Sequence, residues 1–311
     1  MRRLLGNPTA LAFWAGLLIA IVVLWATGVM ADAWQGLRDA RPLPLVLVVI
    51  VGMALPLVHA WRWQVVMRSL DVPLSIGEVS DITVSSALLN YASPGFVGAS
   101  AKAVLANQTR SVPYHASALS IGFEHSLDLG LMAITSALAI LIIGPSAFRD
   151  AIPSLSGTAA FLLVAALVAV LFVGIFVARR FRLMRHIEQL IESARQLGRR
   201  VNRSEVGGLT FLYWVLQVIV VGLLFWALGI NIVIVDVLAI ATVPVLAGML
   251  APVPGGVGVR EAVIVALTAV TGATTATLLT LAIVQRVLLV SALPLSLALV
   301  RVARRIDERF A

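Results

Sequence analysis

There is no cysteine in the 311 residues. Disulfides, thiolate nucleophiles and cysteine-ligated metals are therefore excluded. Charge is scarce, with Asp, Glu, Lys and Arg at 12% of the chain. Lysine is almost absent: Lys102 stands alone, and every other basic residue is arginine. The four histidines, His59, His115, His125 and His186, show no metal-ligand spacing. No Gly-Lys-Ser/Thr follows the glycines at 255–258, which excludes a phosphate loop of the P-loop kind. No polar stretch is long enough for an extramembrane domain. What remains is 60% hydrophobic, at a mean hydropathy of +1.03. Such a chain is an all-α polytopic membrane protein, read as a single membrane domain over 1–311. Its net charge of +8 reports membrane topology first, so no nucleic-acid partner is expected. No nucleophile or metal set stands out, so neither a cofactor nor enzymatic catalysis is expected.

The apolar runs predict about six transmembrane helices. The first covers about 10–30, too long for the apolar region of a signal peptide. A short loop follows, with Asp32, Arg38, Asp39 and Arg41. The second span covers about 43–61 and ends in Trp61-Arg62-Trp63, an aromatic belt whose arginine can snorkel. Residues 64–75 look interfacial. A third span runs from Pro113 to about 143, a fourth from 157 to 178, a fifth from 208 to 228 and a sixth from 275 to 300. Arginines and apolar residues at helical spacing over 179–204 predict an amphipathic surface helix. Trp14, Trp25, Trp34, Trp214 and Trp226 read as interfacial or lipid-facing.

Two further apolar segments are broken. Residues 94–98 read Pro-Gly-Phe-Val-Gly, and residues 254–258 read Pro-Gly-Gly-Val-Gly, 160 positions on. Proline and glycine cannot continue a helix there. Irregular backbone at membrane depth survives only where protein or a wet cavity satisfies it. Matching interrupted segments in two halves point to a transporter-like site. They are read as two re-entrant helical hairpins, over 76–110 and 233–273, with ordinary loops between short helices as the alternative. Both termini are placed in the cytoplasm. Only Arg38, Arg41 and Arg149 then lie outside, with Arg260 and Arg286 within the membrane, as the positive-inside rule favours. Each half, approximately 1–150 and 151–311, crosses three times. The halves therefore form an inverted repeat.

Ionisable groups inside the spans are functional candidates by default. Glu124 and Asp128 share a helix face in the third span. Gln285 and Arg286 lie in the sixth, Gln285 being 160 positions after His125. These four are read as a polar network, either a structural pair tying the third span to the sixth or a substrate contact. Arg260 and Glu261 open the second arm of their hairpin, where helix N–H groups and arginine suit phosphate. Lys102 follows Gly98 in the same way. The candidate substrate-binding residues are Arg260, Glu261, Gly255, Gly256, Gly258, Asn90, Pro94, Gly95, Gly98, Lys102 and Arg62.

Taken together, Trp61-Arg62-Trp63, Asn90-Tyr91-Ala92-Ser93-Pro94-Gly95 with Gly98, Glu124 with Asp128, Pro254-Gly255-Gly256-Val257-Gly258-Val259-Arg260-Glu261, and Arg286 resemble a known family. It is the flippase-like integral membrane family, which is similar to the transmembrane region of lysylphosphatidylglycerol synthases. An arginine often follows the third-span glutamate in that family; here the position is His125. The resemblance implies translocation of a phospholipid or polyprenyl-type headgroup across a bacterial inner (plasma) membrane. Synthases of this kind carry a soluble aminoacyl-transfer domain after the membrane region; the sequence ends at Ala311, and that activity is not expected of it. Expected partners are membrane lipids with anionic headgroups, with a homo-oligomer or a lipid-synthesis protein also open. The alternatives are a proton-coupled secondary transporter of a small polar solute and a non-catalytic accessory subunit of lipid or glycan synthesis.

Overall fold

In the computed structural model, residues 29–92, 97–144, 183–231, 233–250 and 259–310 are described. The first and fourth expected spans and both Pro-Gly tips lie outside them. Every element in the described residues is helical: α1 (Val29–Arg38), α2 (Pro42–Arg68), α3 (Ile76–Ala92), α4 (Val97–Arg110), α5 (Tyr114–Ile143), α6 (Leu183–Arg200), α7 (Arg203–Ala227), α8 (Ile234–Leu250), α9 (Val259–Ala266), α10 (Thr268–Thr271) and α11 (Thr275–Phe310). Four of these, α2, α5, α7 and α11, are long and apolar enough to cross a membrane. The all-helical polytopic membrane fold expected from composition is what the chain adopts.

Local sequence explains most boundaries. Prolines at the first turn start α2. Its internal Pro56 has no N–H to give the Gly52 carbonyl one turn back. Beside it, Ser296 Oγ on α11 donates to the Met53 carbonyl on α2 at 3.2 Å. Ser75 and Glu78 form a reciprocal capping box at the head of α3, at 2.8 and 3.3 Å. Asn202 caps α7 by accepting from the Glu205 N–H. Asp71, at φ 59°, lets the chain reverse between α2 and α3.

Two expectations need correction here. The helix of the second span continues past Trp61 to Arg68, so 62–68 are helical. The short loop after the first span is largely helix α1, which packs on α11.

The packing has an order that matches the 160-residue spacing. Shifted by 160, the bounds of α2, α3, α4 and α5 fall close to those of α7, α8, α9 with α10, and α11. α2 packs on α7, the two elements so related. α3 packs on α11, and α8 packs on α5. Each broken segment folds as two helices against each other, α3 with α4 and α8 with α9. The main core joins Val48 and Leu55 of α2 to Val221, Leu224 and Phe225 of α7 and Leu278 and Leu281 of α11.

The α2–α11 contact rests on a glycine. A Cβ on Gly52 would stand 3.0 Å from Leu289 Cδ2 and 3.1 Å from Ala292 Cβ. Gly52→Leu is therefore expected to lower stability by about 1–3 kcal/mol through overpacking, read as a lower unfolding temperature of the purified protein. At Gly77 the obstacle is the Arg304 side chain, 2.7 Å away, which can swing aside. The cost of Gly77→Ala should stay under about 1 kcal/mol, the scale of an exposed ion pair.

One end of the bundle is basic. Arg301 and Arg304 reach Asp81 at 3.2 and 3.3 Å, Arg110 pairs with Glu78, and Arg200 lies 3.7 Å from Asp71. Arg68 and Arg203 belong to the same end.

Candidate functional site

The site is a buried ionic centre between α2, α4, α5 and α7. Helical spacing puts Glu124 and Asp128 one turn apart on the buried face of α5. Arg62, fully buried in the last third of α2, lies across both. Its Nε donates to Glu124 Oε1 at 3.1 Å. Its Nη1 and Nη2 donate to Asp128 Oδ1 and Oδ2 at 2.6 and 2.9 Å, a bidentate fork that only arginine can supply. Nη1 also reaches Thr210 Oγ1 on α7 at 3.3 Å. Trp214, one turn further along α7, donates Nε1–H to Asp128 Oδ1 at 2.9 Å.

The second carboxylate oxygen of Glu124 faces a different cation. Lys102 Nζ, from α4, donates to Glu124 Oε2 at 3.1 Å. That ammonium also sits 4.2 Å from the ring centroid of Trp63, a cation–π contact. Trp63 is held by its Nε1–H bond to Ser120 Oγ at 3.0 Å. His59 Nε2 approaches Glu124 Oε2 at 3.5 Å, and its ring tilts against Tyr213. Two cations and two carboxylates thus meet in one place. Isolated charges are very costly away from water, so mutual neutralisation is what permits their burial.

Of the sequence candidates, Arg62, Lys102, Glu124 and Asp128 come together. Among the described residues, partners of the two carboxylates are Arg62 and His59 of α2, Lys102 of α4 and Trp214 of α7, so the network joins the third span to three other elements. Gln285 is buried and Arg286 half-buried on α11, neither among those partners. Arg260 and Glu261 are the second and third residues of α9, with Arg260 half-buried. Asn90 lies near the end of α3 and Gly98 near the start of α4. Pro94, Gly95, Gly255, Gly256 and Gly258 lie outside the described residues.

The aromatic belt reading is corrected. Trp61 is 47% exposed, but Trp63 and Arg62 are fully buried, so the arginine does not snorkel to the interface. Trp214, expected at the lipid or the interface, is buried and hydrogen-bonded to Asp128. Sequence reasoning also missed His59 and Thr210. Thr210 and Trp214 are one turn apart with polar tips inside an apolar span, and that spacing was the available signal.

This geometry defines an integral membrane protein with a charge-balanced polar centre among its spanning helices. A family profile described as "Lysylphosphatidylglycerol synthase TM region" matches residues 13–296, and the chain belongs to that family. Among curated proteins no match is found.

Proposed function

We propose that this protein translocates a lipid, moving the headgroup of a phospholipid or polyprenyl-type lipid across a bacterial inner membrane. The observation that carries the reading is the buried set of Arg62, Lys102, Glu124 and Asp128, paired with one another between α2, α4 and α5. In this state the carboxylates occupy both cations. Lys102 has one carboxylate partner and sits on the second arm of a hairpin, so a headgroup phosphate can displace Glu124 from it. Arg62, forked onto Asp128, holds the frame while that exchange occurs. Arg260, at the head of α9, offers a second phosphate contact at the first turn of that helix.

The halves, 1–150 and 151–311, act as an inverted repeat with two re-entrant hairpins, and both termini are cytoplasmic. The matching element bounds, the crossed packing of α3 on α11 and α8 on α5, and the basic end of the bundle support this arrangement.

The test is reconstitution of the full chain into vesicles carrying a headgroup-fluorescent phospholipid, with an impermeant quencher outside. Wild type should carry inner-leaflet label to the quencher, while empty vesicles keep it. Arg260→Ala should slow that transfer about tenfold, the effect of losing roughly 1.4 kcal/mol of binding at the rate-limiting state. Unchanged quenching in wild type would sink the reading. Solute uptake driven by a pH gradient would then favour a proton-coupled transporter, for which the buried Glu124 and Asp128 are the groups to test.

A further inference from the structure

A groove of about 980 Å³ lies outside the ionic centre, between the last third of α2 and the head of α3. That volume is at the upper end of ligand sites, about 300–1,000 Å³. Its α2 wall is the stripe Leu57, Trp61, Gln64 and Arg68, spaced along one helix face. From Leu57 to Arg68 the stripe rises roughly 16 Å at about 1.5 Å per residue. The hydrocarbon core is about 30 Å thick, so the groove is one leaflet deep.

Polarity rises along the α2 wall toward Arg68, while the α3 side mixes Pro73, Leu74 and Ile76 with Ser75 and Ser80. Leu57 and Val58 form the apolar end, Trp61 stands midway and half-exposed, and Arg68 and Ser75 form the polar mouth. Charge at the mouth is not balanced. Asp71, Glu78 and Asp81 each have an arginine of their own. Arg68 is exposed and has no ion-pair partner among the described residues. The α2–α3 walls are fixed by Gln64 Nε2, which donates to the Leu74 carbonyl at 2.8 Å, and by the Ser75–Glu78 capping box. Trp61 faces the groove and Arg62, the next residue, faces the ionic centre, so α2 alone separates the two.

We propose that this groove is a lipid-loading site. It holds one anionic glycerophospholipid from the leaflet at the basic end, with phosphate at Arg68 and Ser75 and acyl chains along Trp61, Val58 and Leu57. The proposal rests on the lipid-translocation reading and names where that substrate class first binds. Length, polarity gradient and the unmatched Arg68 together fit a lipid standing parallel to the bilayer normal.

The experiment uses the full chain in phosphatidylcholine nanodiscs doped with phosphatidylglycerol bearing a photoactivatable acyl chain. Adducts are mapped by mass spectrometry after irradiation. They are expected in the peptides that contain 57–68 and 73–80. Ser75→Trp, on an exposed residue, should obstruct the mouth; it gives up the Oγ arm of the capping box and keeps the Ser75 N–H bond to Glu78. Arg68→Gln should cut the adduct yield about tenfold, as the loss of one charge-assisted hydrogen bond implies. Leu141→Trp, on the exposed face of α5, should leave the yield unchanged. Equal labelling of the α5 face, insensitivity to Ser75→Trp, or cross-links at the groove to a second protein chain would each overturn the proposal. Vesicle transport separates the two ideas. Groove-specific adducts without lipid movement retain the site and reject translocation, whereas movement without groove-specific adducts does the reverse.

Discussion

Arg62→Met should be among the most destabilising single changes in the protein, by about 3–5 kcal/mol, the range for removing one partner of a buried ion pair. Methionine fills the space of the stem but leaves Asp128 with only the Trp214 N–H. Glu124 keeps Lys102 at 3.1 Å. The two carboxylates are therefore not equivalent in this background. Adding Asp128→Asn to Arg62→Met should recover most of the lost stability, and adding Glu124→Gln should recover little. Thermal unfolding of the three purified variants in one detergent decides it. Equal rescue by either second change would show that Arg62 does not favour Asp128 as its bidentate geometry requires.

Lys102→Met should divide stability from transport. Glu124 would retain the Arg62 Nε bond, with His59 3.5 Å away on its other side. The stability loss is expected near 1.5–3 kcal/mol, the worth of one hydrogen bond to a charged group. If the proposed translocation holds, transport should fall more than about tenfold, because the cation proposed to take the headgroup phosphate is gone. The double change Lys102→Met/Glu124→Gln is the sharper measurement, since contacting residues couple strongly. Recovery of stability without transport is the result expected if Lys102 meets the headgroup. Recovery of both would leave Lys102 as a counter-ion to Glu124 and nothing more.

Much of the architecture could be read from the residues because hydropathy and backbone chemistry are local. Pro113 ended one loop within a residue of the start of α5, and the two Pro-Gly breaks marked the joins of α3 with α4 and α8 with α9. The 160-residue spacing found in two five-residue motifs recurs in the bounds of four pairs of elements. The ionic centre was only half legible. Glu124 and Asp128 announced themselves as acids in an apolar helix, but their partner was sought in the sixth span because Arg286 also lay deep in sequence. Arg62, the cation that touches both acids, is 62 residues from Glu124 along the chain, and tertiary packing alone brings it there. Arg62 was misread because a tryptophan on each side suggested an interface. Positions 61 and 63 are about 200° apart on a helix, so both cannot face lipid. One of them had to turn inward, and Arg62, between them, lies on the side turned to Glu124 and Asp128.

The separation between Arg62 and its acids also constrains how the protein is made. Spanning helices enter the bilayer in order of synthesis, so α2 is emplaced while Glu124 and Asp128 are still to come. Near the end of α2, Arg62 can lean toward headgroups in that interval. The acids of α5 have less shelter. Together they cost about 5–7 kcal/mol on insertion scales, nearly all of what a dozen Leu, Ile and Phe residues return at roughly 0.3–0.6 kcal/mol each. α5 is therefore close to neutral as a solitary insertion candidate, despite its 30 residues. Arg62, made earlier, is a countercharge that offsets this cost. The pairing of Arg62 with the acids of α5 can thus form before α7 and α11 are made.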